Sequence, residues 1–229
     1  MPPMTGQMIN EQIMNRLLSG GLQLEIFYSF IIIACSLMIY FGTKKIYELT
    51  GHKGIKYFRL SFLFFAIAYF FRSFIKFIVI YFSSERILEI PPQIFGEITL
   101  MLFIYFSSMA VFYLLYSVIY KKIKMKKAYL HLVAIIFAIV VIVTINPFVY
   151  LIINLILLFI LSLTVYLSRS KSKKSNICAD YILLFIFWAL GTLDILIPTF
   201  LKTFQLIIYL SSSGIFLVIL YKVLKRAGN

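Results

Sequence analysis

The 229 residues are 62% apolar or aromatic and 13% charged, with a mean hydropathy of +1.00; a soluble domain is about 45–50% apolar and about 25% charged. Twenty-two Lys and Arg against eight Asp and Glu give a net charge of +14. These proportions exclude a soluble enzyme domain, a secreted disulfide scaffold and a disordered tail. They point to an all-α polytopic membrane protein in which the position of each charge matters more than the total.

Residues 1–23 form an extracytoplasmic N-terminal segment. Within it, residues 7–18 set Ile9, Ile13, Met14 and Leu17 on one stripe that ends at Ser19-Gly20-Gly21, the pattern of a short amphipathic helix lying on the membrane surface. Arg16 is its one basic residue and no small-residue cleavage site follows the first apolar run, so the segment does not read as a signal peptide.

Residues 24–221 form the transmembrane domain. A hydrocarbon core about 30 Å thick is crossed by about 20 apolar residues in a helix. Seven such runs are predicted, at 24–43, 57–82, 97–120, 128–145, 148–168, 179–200 and 203–221. The fourth and fifth are separated only by Asn146-Pro147, turn chemistry that predicts a tight helical hairpin. None of the runs alternates apolar and polar residues as a barrel strand does. Residues 222–229 are a short basic cytoplasmic tail.

Lys and Arg accumulate on the cytoplasmic side of membrane proteins. One side here holds Lys44, Lys45, Lys53, Lys56 and Arg59, then Lys121, Lys122, Lys124, Lys126 and Lys127. It also holds Arg169, Lys171, Lys173 and Lys174, then Lys222, Lys225 and Arg226, so that 17 of the 22 basic residues share it. This places the N-terminus outside and the C-terminus inside. Anionic lipids are expected at the basic loops, nucleic acid is not, and a membrane or cytoplasmic protein partner would receive any output.

Polar groups at membrane depth are the candidates for function. At about 1.5 Å per residue, Arg72 and Asp194 each lie about 22 Å from the inner ends of their helices. Matched depth and opposite charge predict an Arg72–Asp194 ion pair facing the bundle interior. Lys76, a turn beyond Arg72, reaches toward Glu97 at the outer interface. Asn154, Thr192, Ser107, Ser108, Gln205, Ser211, Ser212 and Ser213 fall at similar levels and suggest an outward-opening polar cavity. The serines also suit close helix packing without any ligand. His131 reads as interfacial, and Cys35 and Cys178 lie at different depths, unsuited to a disulfide.

No catalytic motif, phosphate-binding Gly loop or metal-ligand spacing is present, so neither an enzyme nor a cofactor is expected. The last helix has no lysine at mid-depth for a retinal Schiff base. An offset of 122 residues superposes Phe27-Tyr28 on Val149-Tyr150 and Arg72 on Asp194, as parallel repeats in some small-solute transporters would. Few Gly or Pro residues interrupt the helices at depth, which favours a sensor, receptor-like or accessory bundle over a transporter. An intramembrane enzyme ranks third. The expected ligand is small and partly apolar, with an anionic head accommodated beside Arg72 and Lys76.

Overall fold

A computed structural model of the chain describes residues 21–85, 92–122, 126–144, 146–171, 177–196 and 202–228. The amphipathic stretch predicted at 7–18 lies outside them. Helices α1 (Gly21–Gly42), α2 (Lys44–Thr50), α3 (Lys53–Glu85) and α4 (Pro92–Ile119) are followed by α5 (Lys127–Thr144), α6 (Pro147–Lys171), α7 (Ile177–Leu196) and α8 (Lys202–Gly228). Among the described residues, seven spans are long and apolar enough to cross a membrane, the first running on from α1 through α2.

Local chemistry sets the breaks. Gly51 adopts φ 59° and donates its N–H to Tyr47 O at 2.8 Å, a left-handed cap that ends α2. Asn146 Oδ1 accepts the Phe148 N–H at 2.9 Å while Pro147 opens α6, an N-cap followed by proline at the first helical position. Several helices exceed their predicted spans, α3 and α8 by the most, because the backbone ladder continues where hydropathy falls. The 33 residues of α3 reach about 50 Å. The last helix runs to Gly228, so Lys222, Lys225 and Arg226 sit on helical turns, with Lys225 and Arg226 in the last turn where the helix dipole favours cations.

Six helices close a ring. Each packs on the next in the order α1, α3, α4, α6, α7, α8, and α8 returns to α1. Two consecutive triples, α1-α3-α4 and α6-α7-α8, therefore meet twice, the first helix of each against the last of the other. The remaining span, α5, lies outside the ring on α4, with Ala134, Ala138 and Val141 as its buried residues. Alanines four apart let the two backbones approach, while Ile135, Ile136, Ile139 and Val143 stay exposed. The turn at Asn146-Pro147 is tight, but the predicted hairpin is not: α5 scarcely packs on α6, which turns instead to α4 and α7.

Aromatic rings fill the middle. Phe62 and Phe65 of α3, Phe187 and Trp188 of α7 and Phe216 of α8 are all buried. Phe187 and Phe216 meet edge to face at 4.6 Å and 71°, and Phe65 contacts Phe187, Trp188 and Phe216 at 6.4, 6.1 and 6.2 Å. These are preferred geometries for ring quadrupoles. They also bring α3 and α7 together across the ring.

Candidate functional site

Polar side chains gather at both ends of this aromatic core. At the end opposite the basic loops, Arg72 of α3 meets Glu25, one turn into α1, rather than the predicted Asp194. Its Nε and Nη2 each lie 2.9 Å from Glu25 Oε1, and both side chains are largely buried. The guanidinium also lies over Phe103 and Tyr69, 5.3 and 5.9 Å from the ring centroids. Depth along a helix does not specify a partner. Packing of α1 directly on α3 selects Glu25, an acid at the start of the first apolar run.

Tyrosines link this pair to Asp194. The Tyr69 and Tyr28 hydroxyls are 3.1 Å apart, and Tyr28 stacks on Tyr209 at 4.9 Å and 14°. Tyr209 donates weakly to Asp194 Oδ2 at 3.4 Å. Asp194 Oδ1 is buried and has no hydrogen-bond partner among the described residues. Glu25 and Arg72 lie within electrostatic reach of Asp194, and Gln205 stands beside its carboxylate as a further hydrogen-bonding side chain. Helices α1, α3, α4, α7 and α8 thus contribute to one cluster.

The other predicted residues divide. Asn154 donates to Tyr150 O at 2.9 Å, Thr192 to Trp188 O at 3.0 Å and Ser107 to Ile104 O at 3.2 Å, so each satisfies itself on its own helix. Ser108, Ser212 and Ser213 are buried, and Ser211 is exposed. Ser212 and Ser213 lie on α8 and the buried Ser29 and Ser36 on α1, helices that pack directly on one another; small residues there allow close approach. The Lys76 side chain, and with it the predicted reach to Glu97, lies outside the described residues. His131 Nδ1 and the Tyr105 hydroxyl are 2.8 Å apart. Among the described residues no three His, Cys, Asp or Glu side chains converge as a metal site would require.

The basic-loop end carries a second cluster that depth counting missed. Asp180, in the first turn of α7 and 1% exposed, is held by Arg226 of α8 through Nη1–Oδ2 at 2.6 Å and Nη2–Oδ1 at 3.4 Å. The Tyr181 hydroxyl lies 2.7 Å from Ser117 Oγ of α4, and the Tyr120 hydroxyl 2.9 Å from His52 Nε2. All six border a cavity of about 410 Å³. Nearby, Arg59 is 8% exposed, donates from Nε to Tyr40 O at 3.0 Å and lies 4.8 Å over the Tyr40 ring. The available signal was Asp180 itself, an acid opening an apolar helix at the end where basic residues predominate.

A relative in Archaeoglobus fulgidus, described as an uncharacterized protein, is 28% identical over 219 residues, covering 88% of this chain and 92% of its own. No family model and no solved structure matches the chain.

Proposed function

We propose that the chain is a receptor-like membrane bundle that senses a small ligand at the Asp194 cluster and signals through a partner protein. One observation carries this reading: Asp194 Oδ1, buried and with no close hydrogen bond among the described residues, lies within a cluster whose polar side chains, Gln205 and Tyr209 among them, come from four helices. A buried acceptor of this kind is stabilised by any ligand that supplies a donor. Arg72 is already neutralised by Glu25, so a small, partly apolar amine or alcohol suits the cluster better than an anion. In this reading the N-terminus lies outside and the basic loops inside, against anionic headgroups, each basic residue contributing about 1 kcal/mol of attraction.

The test is thermal unfolding of the purified chain with matched alkylamines, alcohols and carboxylates. Stabilisation by donors, lost in Asp194→Asn, is the expected result; stabilisation by carboxylates alone, or equal shifts in the variant, would overturn it. A small-solute transporter is the second reading, favoured by the two triples and their reciprocal packing. Counterflow of labelled solute in proteoliposomes separates the two.

A further inference from the structure

Independently of the reading above, we infer that the cavity at the basic-loop end is a binding site for an amphiphile with a single anionic head. At about 410 Å³ it lies within the range of small-molecule pockets. Its walls and its polar groups call for different parts of one ligand. Ile55 and Phe58 of α3, Val118 of α4 and Val223 of α8 present hydrocarbon, against which a small hydrated anion would leave apolar surface uncovered.

The polar groups supply a head site. Asp180 offsets the charge of Arg226 and fixes its guanidinium at the cavity wall by two-point contact. Lys121, also lining the cavity, has no carboxylate partner among the described residues. Among the lining side chains the balance is therefore one positive charge, with His52 and Tyr120 beside it as hydrogen-bonding groups and Lys222 adding to the positive field from outside the lining. The site also lies where the apolar spans give way to the basic segments, the level at which a membrane amphiphile carries its head.

Dodecyl phosphate is a suitable probe, with dodecanol and inorganic phosphate as its two halves. Native mass spectrometry of the full chain in neutral detergent should show one dodecyl phosphate per chain. Binding should weaken about tenfold, or about 1.4 kcal/mol, in Lys121→Gln. It should weaken comparably in Ile55→Trp, which fills the cavity. Lys121 is exposed, so its variant tests the head site without disturbing the core. Lys122→Gln, one residue away and not part of the lining, should bind as the parent does. Equal weakening in Lys122→Gln would reduce the effect to surface electrostatics and overturn the site. Inorganic phosphate competing as well as dodecyl phosphate would make it a soluble-anion site, and absence of stoichiometric binding would also overturn it.

Discussion

Arg72 reaches Glu25 through both Nε and Nη2, each 2.9 Å from the same carboxylate oxygen. Removing either residue breaks this two-point ion pair in a largely buried setting. Arg72→Met should therefore destabilise the protein by about 2–3 kcal/mol, below the range for fully buried pairs because some solvent screens this one. Arg72→Met with Glu25→Met should recover most of the loss. Asp194→Asn, which keeps a group able to accept from Tyr209, should change stability by about 0.5 kcal/mol or less. Thermal unfolding in detergent checks the order; a larger effect at Asp194 than at Glu25 would restore the Arg72–Asp194 pair.

Tyr28 joins the two acids, through its hydroxyl to Tyr69 and its ring to Tyr209. Tyr28→Phe keeps the stack and removes the 3.1 Å hydroxyl contact, for a loss of about 1 kcal/mol. Tyr209→Phe should lose less, because its contact with Asp194 is long. Unfolding midpoints of the two variants are the comparison.

Arg226 stands three residues before the last of the sequence yet closes on a carboxylate that is 1% exposed. Arg226→Gln should cost about 3 kcal/mol by leaving Asp180 charged and buried, and Asp180→Asn less. Removing residues 226–229 should destabilise as much as Arg226→Gln. Unchanged unfolding of that truncated chain would contradict the pairing.

Two glycines beside the cavity differ in kind. A Cβ on Gly54 would lie 2.9 Å from the Ser117 carbonyl oxygen and 2.9 Å from the His52 ring. A backbone atom cannot swing aside, so Gly54→Ala should lose about 1–3 kcal/mol through displacement of α3 from α4. Gly51 has open space but φ 59°, so Gly51→Ala should lose about 1 kcal/mol through backbone strain alone. Binding of dodecyl phosphate should fall in Gly54→Ala and persist in Gly51→Ala.

Orientation is checked by labelling. In a background without Cys35 and Cys178, a membrane-impermeant thiol reagent added to intact cells should modify Asn146→Cys and spare Lys122→Cys, both at exposed positions. The reverse pattern would invert the charge rule for this chain.

The seven spans were legible because apolar length is a one-dimensional property, and 1.5 Å per residue converts it to height. Partnership is not one-dimensional. Arg72 and Asp194 were rightly placed near the same end, but the azimuth of each helix and its neighbour in the ring chose Glu25. Tyr28, Tyr69 and Tyr209 escaped notice because a tyrosine counts as apolar in a hydropathy scan while its hydroxyl must still find a partner. Asp180, Arg226 and Arg59 were masked by the charge rule. Assigning basic residues to orientation left no reason to ask what Arg226 and Arg59 touch, and both have specific partners.

The lone helix α5, outside the ring, has a consequence for how the chain enters the membrane. Successive spans alternate in direction, so an odd crossing between the triples makes α6 enter in the same sense as α1. Without α5 the second triple would insert upside down. Asp180 and Arg226 would then be carried to the face occupied by Glu25, and the ring could not close α8 against α1 in its present register. A helix packed mainly on one neighbour thus acts as a parity element, and shortening the protein to its six-helix ring would require a replacement crossing rather than a simple excision.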